Sequence, residues 1–353
     1  MKRLARATIG ILMASAVIGI VSAHASLDIY FIDVEGGQST LVVTPAGESL
    51  LIDAGFPSDG TFASQPGDPS KARDAQRILA AARHAGVKRI DYFLLTHFHA
   101  DHDGGLTELS RLIPIKTFID HGEPGPGAAA AVTGTQDMYD KYLAVRARGK
   151  HLDAKPGDRL PLKGVDATVV ASAGEVLSTP LPGAGRPNAA CTGTGISAQE
   201  KTENPRSSAV LLKYGAFRFL DVGDLSGAPL FALACPINLI GTADVYLVAH
   251  HGGADAADPL FFAAIKPRVA IFNNGPTKGA QKETLATVAG MPSIDGWQLH
   301  RSLNEGATNA PDARIANLDD ATSAWIKVSA KSDGSFTVTN GRTGATTAYA
   351  ARR

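Results

Sequence analysis

Residues Thr96-His97-Phe98-His99-Ala100-Asp101-His102-Asp103-Gly104-Gly105 gather three histidines and an aspartate within six positions, in the order His-x-His-x-Asp-His. Imidazole nitrogens and carboxylate oxygens are the ligands that Zn2+ and similar divalent metals take in proteins. A metal held that way can activate water for attack on a carbonyl carbon or a phosphorus. The chain has only 10 histidines, and three fall in this one run, which sets it apart from a polar loop. The run directly follows the apolar Tyr92-Phe93-Leu94-Leu95, which reads as a buried strand. A strand ending there delivers the whole cluster to one point at the edge of a sheet.

The elements that must position this cluster follow from turn residues and apolar period. Leu27–Val34 reads as a first strand and Gly36-Gly37 as a turn. Ser39–Thr44 and Ser49–Asp53 are two more strands around the hairpin turn Pro45-Ala46-Gly47-Glu48. Residues 56–69 form a loop. Ala72–His84 is helical with Ile78 and Leu79 inward, Gly86 stops it, and Arg89–Thr96 is the strand that feeds the cluster. Leu106–Leu112 is a short helix and Thr117–Asp120 a strand ending at His121. Gln136–Arg148 is a further helix, after a Gly-, Pro- and Ala-rich loop over 122–135. Residues 173–205 show no period and read as a long loop over the face of the protein.

The opening pattern then returns. Ala209–Tyr214 and Phe217–Leu220 make a second hairpin across Gly215 that ends at Asp221-Val222-Gly223-Asp224. Asp244–His250 echoes Asp91–His97: an aspartate, a strand, and a histidine at the exit. Two halves in this order imply an internal duplication. The expected packing is two sheets face to face with helices outside, an α+β protein in four αββα layers. Strand exits of both halves then meet at one edge, which sets His250 near His97. Val269–Phe272 is another buried strand. Trp325–Ala330 and Ser335–Thr339 form a C-terminal hairpin across Asp333-Gly334.

Lys2, Arg3 and Arg6, the apolar stretch Ile9–Val21 and the site Ala23-His24-Ala25 form a signal peptide over residues 1–25. Cleavage after Ala25 leaves residues 26–353 as a single domain, periplasmic or secreted. The apolar stretch is short for a membrane span, and no second stretch is long enough. The chain carries 34 basic and 34 acidic residues, and the signal removes three of the basic ones. The mature chain therefore has no global basic field. Tight binding of duplex nucleic acid is not expected, and a small or single-stranded anionic substrate fits better. Cys191 and Cys235 are the only cysteines and are not in a Cys-x-x-Cys spacing. In an oxidising compartment they can form one disulfide.

Five segments carry a resemblance: Phe31-Ile32-Asp33-Val34-Glu35-Gly36-Gly37-Gln38, Leu51-Ile52-Asp53-Ala54-Gly55, His97–His102, Val222-Gly223-Asp224 and Ala249-His250-His251-Gly252. Together they resemble the metallo-β-lactamase-fold hydrolases, and within these the hydrolase-like domain of ComEC-type competence proteins and their secreted relatives. The resemblance implies an αββα sandwich with one or two divalent metals, Zn2+ or Mn2+. It implies that His97 and His99 hold the first metal and Asp101 and His102 the second. Asp224 would bridge both, His250 would complete the second site, and Asp53 would orient ligands from behind. Asp221 competes with Asp224, and the Gly-Asp context favours Asp224. His251 competes with His250, and the echo of His97 favours His250.

Many members of that family supply a third histidine to the first metal, where this chain has Glu203-Asn204-Pro205-Arg206-Ser207-Ser208. ComEC-type domains share this departure. Asn204 or Ser207 is expected to offer a neutral oxygen there. A second departure is Lys278-Gly279-Ala280-Gln281, where competence-channel domains often place a histidine after the glycine. His121 reads either as a cleft residue or as a structural one. Arg206 and Lys278 read either as cations meeting an anionic substrate or as solvated surface. His84, His151 and His300 read as surface or structural.

The implied chemistry is hydrolysis by metal-activated water, with Asp101 or Asp224 as the catalytic carboxylate that moves the proton. No Gly-x-Ser-x-Gly element points to a serine nucleophile. Phosphoesters or phosphodiesters are the expected substrates. Hydrolysis of a carbonyl ester, lactone or β-lactam is one alternative, and a non-catalytic metal-binding module is another.

Overall fold

The computed structural model describes residues 26–57, 71–191 and 201–352. The expected signal peptide over residues 1–25 lies outside these, as do parts of the expected loops at 56–69 and 173–205. Strand alternation sorts the apolar side chains into separate cores. On Leu27–Phe31, the side chains of Leu27, Ile29 and Phe31 enter one core while Tyr30 enters another on the opposite face. Thr40–Val43 and Ser49–Ile52 are buried at every position. Leu41–Val43 and Leu50–Ile52 form continuous apolar runs because both faces of their sheet are covered.

Each of two mixed sheets has nine strands among the described residues. The first runs Thr346–Tyr349, Phe336–Asn340, Ile326–Ala330, Leu27–Phe31, Thr40–Val43, Ser49–Ile52, Ile90–Leu94, Ile115–Asp120, Lys150–Asp153. The second runs Ile315–Asn317, Asp295–His300, Val269–Phe272, Val245–Leu247, Phe217–Asp221, Ala209–Tyr214, Asp166–Ser172, Arg159–Leu160, with Glu175–Val176 paired on Asp166–Ser172. In each sheet an antiparallel hairpin passes into parallel strands. Thr40–Val43 and Ser49–Ile52 lead to parallel Ile90–Leu94, as Ala209–Tyr214 and Phe217–Asp221 lead to parallel Val245–Leu247. This is the repeated order expected from the sequence.

Phe31 of the first sheet meets Phe219 of the second edge-on, with ring centroids 5.6 Å apart. Around them Leu50, Ile52, Val210, Leu212 and Ile271 fill the layer between the sheets. Arg73–His84, Leu106–Leu112 and Thr135–Arg146 cover the outer face of the first sheet through Ile78, Leu109, Tyr142 and Val145. Gly227–Ala234, Pro259–Ile265 and Lys282–Ala289 cover the second through Leu233, Phe262 and Leu285. Each such buried apolar side chain contributes roughly 1.5–3 kcal/mol relative to exposure. The four αββα layers follow. Among the described residues no helix is long and apolar enough to cross a membrane.

Several elements differ from the sequence expectation. The first strand ends at Phe31 because Asp33 turns the chain: its Oδ1 accepts from Glu35 N at 3.0 Å and lies 2.7 Å from His300 Nε2. Ala128–Ala131 forms one helical turn inside the expected loop at 122–135. Strands Lys150–Asp153, Arg159–Leu160 and Asp166–Ser172 fall where no element was expected. The C-terminal hairpin pairs Ile326–Ala330 antiparallel with Leu27–Phe31, widening the first sheet.

Cys191 and Cys235 form a disulfide across 44 positions of sequence, tying the segment before residue 192 to the end of helix Gly227–Ala234. Closing a loop of that length stabilises by about 2–4 kcal/mol, chiefly through the unfolded chain. Cys191→Ser/Cys235→Ser is expected to lose that amount in urea unfolding, and reductant is expected to destabilise the wild type alone.

Candidate metal centre

Parallel strands in each half open their carboxyl ends toward one edge, and the polar residues gather there. Fully buried Asp53 organises the first half. Its Oδ1 accepts from Thr96 N at 2.8 Å and its Oδ2 from Thr96 Oγ1 at 2.7 Å, and Oδ2 also lies 2.7 Å from His102 Nδ1. A carboxylate at Nδ1 keeps the ring proton there and leaves Nε2 as the donor to a metal. His102 Nε2 lies 3.2 Å from Asp224 Oδ2 and 3.4 Å from Asp101 Oδ2. His97 Nδ1 meets Thr96 Oγ1 at 3.0 Å and Ser207 Oγ at 3.3 Å. Its Nε2 lies 2.9 Å from His99 Nδ1 and 3.9 Å from Asp224 Oδ2. Gly37 allows the close approach of this loop: a Cβ there would stand 2.5 Å from the Asp101 carbonyl oxygen, which accepts from Gln38 N at 3.0 Å.

The second half delivers its histidines through a left-handed turn. His250 and His251 have φ of 49° and 55°. Non-glycine residues there cost about 1–3 kcal/mol each and persist where the surroundings hold them. Here His250 N donates to Gly223 O at 3.1 Å and Ala280 N to His251 O at 2.8 Å. The turn sends the two rings apart. His251 is buried, with Nε2 3.1 Å from Asp101 Oδ2 and 3.3 Å from Asp224 Oδ1. His250 is partly exposed, with Nε2 3.7 Å from Asp224 Oδ2 and Nδ1 2.7 Å from Asp255 Oδ2.

Asp101, His102, Asp224 and His251 are all buried, and one ligand atom from each lies within 4.8 Å of the others. His102 Nε2, His99 Nε2 and Asp224 Oδ1 are buried without a hydrogen-bond partner. Buried polar atoms rarely go unmatched, and an ion is one way to match them. The mixed nitrogen and carboxylate set suits a divalent metal. The tightest group thus takes His251, while His97, His99 and His250 stand around it.

The other candidates are placed as follows. Asp221 accepts from Gln38 Nε2 and Gly223 N, both at 3.0 Å, and so holds the turn that delivers Asp224. Ser207 supports His97, and buried Asn204 lines the adjoining cavity. His121 pairs with Glu203 at 3.0 Å and packs edge-on against Phe98. Glu203 also accepts from Gly125 N at 2.7 Å, so this pair fastens the turn that carries Asn204. The Arg206 guanidinium donates to the carbonyls of Ala173 and Glu123. Lys278 Nζ sits on Asp101 Oδ2. A cavity of about 270 Å³ opens over the centre, lined by His99, Asp101, Asn204, Asp224, His250 and Lys278 among others. A larger cleft of about 630 Å³, lined by Arg186, Arg218 and Lys266, lies away from these groups.

Burial opposes charge on Asp101 and Asp224, but neighbouring cations win. Lys278 and His102 hold Asp101 well below the usual carboxylate range, and His102, His251 and His250 do the same for Asp224. Burial also opposes charge on His102, yet Asp224, Asp101 and Asp53 hold it well above the usual imidazole value. His97 goes the other way: burial, then the charges of His102 and His99, push it well down. Asp101, Asp224, His102 and Lys278 thus stabilise one another's charges.

Asp221 titrates differently. Burial pushes its carboxyl from 3.8 up to about 7. The native chain therefore keeps a proton that the unfolded chain loses, so stability is full below pH 3.8 and falls as pH rises to about 7. Asp221→Asn keeps the neutral shape. In chelator-treated protein it is expected to flatten that fall and to gain on the order of 1–4 kcal/mol over wild type at pH 8. Urea midpoints of both proteins at pH 5 and pH 8 check this.

Residues 32–186 match the family described as the Metallo-beta-lactamase superfamily. The match spans less than half of the chain, and over that span the chain is similar to the superfamily. The matched span holds Asp53 and the His97–His102 run. Among solved structures, the chain is similar to a Cronobacter sakazakii metallo-β-lactamase with a HARLDQ motif, at 14% identity and TM-score 0.37, over 63% of this chain and 77% of that one. It is similar to the metallo-β-lactamase-fold protein YhfI of Bacillus subtilis at 11% identity and TM-score 0.40, over 70% and 85%. It is also similar to a diphosphatase of the PhnP family at 13% identity and TM-score 0.39, over 77% and 94%. No curated protein sequence matches it.

Sequence reasoning missed two partners in this centre. Asp255, which orients His250, sits in a three-residue turn with no pattern to mark it. Thr96, which bridges Asp53 to both His97 and His102, lies in the motif's own stretch but is neither a ligand nor a charge.

Proposed function

We propose that this chain is a secreted metal-dependent hydrolase of the metallo-β-lactamase superfamily that acts on phosphoesters or phosphodiesters. The observation that carries the reading is the buried group Asp101, His102, Asp224 and His251 bordering a cavity that also holds His250 and Lys278. Those four residues, with His97 and His99 beside them, would hold one or two divalent metals. A divalent metal supplies Lewis acidity there and makes water acidic enough to ionise near neutral pH. Asp224 and Asp101, kept ionised by their imidazole and ammonium neighbours, would hold the metal and accept hydrogen bonds that orient the attacking water. His250, oriented by Asp255 and lining the cavity, is placed to give a proton to the leaving oxygen.

Three features favour phosphorus over carbon. Asn204, which lines the cavity, and Ser207, which meets His97, stand where a third histidine is expected, so the centre has one imidazole fewer. Lys278 and His250 offer positive charge to non-bridging oxygens. The His250-His251-Gly252 element carries the nearer likeness to ComEC-type domains. Lys2, Arg3, Arg6 and Ile9–Val21 support export, and the Cys191–Cys235 disulfide suits an oxidising compartment.

The test is turnover of a chromogenic phosphodiester and phosphomonoester beside a lactone and a chromogenic β-lactam, with and without chelator. Chelator-sensitive cleavage of the phosphoesters is expected. Cleavage of the lactone or β-lactam alone would move the chain to carbonyl chemistry, and cleavage of none would leave a metal-binding module.

A further inference from the structure

We infer that Lys278 is a built-in counter-ion of Asp101 that competes with a divalent metal for that carboxylate. The inference rests on the metal-centre reading above and adds a control of occupancy to it. Asp101 Oδ2 is contested: Lys278 Nζ donates to it, His251 Nε2 lies 3.1 Å away and His102 Nε2 3.4 Å away. A metal bonded to the same oxygen at about 2.0–2.2 Å would meet the ammonium at close range, and like charges repel.

The fold fixes this ammonium in place. Lys278 Nζ also donates to Gly36 O at 2.7 Å and stands 5.4 Å from the centroid of the Phe56 ring. The stem packs on Gly36, whose φ of +94° already requires glycine. A Cβ there would lie 2.8 Å from Lys278 Cβ. The side chain is 35% exposed, its remainder seated in this cradle. Metal arriving at Asp101 must therefore displace a cation that three separate contacts hold, and the cavity that Lys278 lines is where the ammonium can go. The device makes the metal-free chain self-neutralised and lowers affinity at the Asp101 side of the centre.

Lys278→Met removes the charge and keeps the apolar stem, and Lys278→Gln keeps a polar tip for Gly36 O. Calorimetric titration of chelator-stripped protein with Zn2+ is expected to show both variants binding at least about ten-fold tighter than wild type, a difference of about 1.4 kcal/mol. Thermal unfolding is expected to show both variants less stable than wild type when metal-free, and at least as stable when loaded. Equal or weaker Zn2+ binding by the variants, while wild type binds, overturns the competition and leaves the metal centre standing. Equal destabilisation with and without Zn2+ makes Lys278 a packing residue only. Failure of wild type and both variants to bind any Zn2+ overturns the metal reading and this inference together.

Discussion

Asp224→Ala is expected to remove chelator-sensitive hydrolysis, lowering kcat by more than the roughly 10–100-fold that loss of a merely supporting partner costs. The size of the effect follows from position. The Asp224 carboxylate stands 3.2 Å from His102 Nε2, 3.3 Å from His251 Nε2, 3.7 Å from His250 Nε2 and 3.9 Å from His97 Nε2. No other carboxylate in the described centre reaches all four rings. Its removal withdraws a metal ligand and leaves the imidazoles without their main counter-charge. Asp221→Asn is the paired control, since Asp221 holds a turn. Hydrolysis is expected to survive there within a few-fold. Survival of hydrolysis in Asp224→Ala with loss in Asp221→Asn would reverse the two assignments.

Asp53→Asn is expected to lower Zn2+ affinity by about 10–100-fold. The change is nearly isosteric, and the argument concerns one proton. Asp53 Oδ2 accepts from Thr96 Oγ1 and keeps the proton of His102 on Nδ1. An amide nitrogen in that place donates instead, so His102 Nδ1 must accept and its proton moves to Nε2. That nitrogen faces Asp224 and Asp101, where a metal needs a lone pair. Calorimetric titration of the stripped variant with Zn2+ checks this. Unchanged affinity would mean that His102 does not bind through Nε2.

The first half of the centre was legible because its donors are contiguous. His97, His99, Asp101 and His102 follow one apolar strand, and a strand exit places neighbours together whatever the rest of the chain does. The second half was legible only as pairs. Asp221 and Asp224 both lie at one strand exit, and which carboxylate points inward depends on the turn that Asp221 itself closes. His250 and His251 are adjacent, and a left-handed backbone at both decides which ring is buried. Neither residue type announces that conformation, and the echo with His97 pointed to the more exposed ring.

The same logic holds for the fold. Ile326–Ala330 and Phe336–Asn340 alternate cleanly between buried and half-buried positions, so the hairpin was readable, but its partner Leu27–Phe31 is set by long-range pairing. Lys150–Asp153 is an exposed edge strand of mostly polar residues, held by pairing with Ile115–Asp120 rather than by an apolar face. Lys278 reaches Asp101 from 177 positions away in sequence, a juxtaposition only the packed halves create.

The measurement that bears most directly on the centre is metal content and phosphodiesterase rate in one titration of chelator-stripped wild type with Zn2+ or Mn2+. Stripped protein is expected to be inactive, with activity returning in step with metal and levelling at about one to two equivalents per chain. Full activity in protein shown to hold no metal, or metal uptake that Asp224→Ala leaves unchanged, would contradict the assignment of the His/Asp cluster as a hydrolytic metal centre.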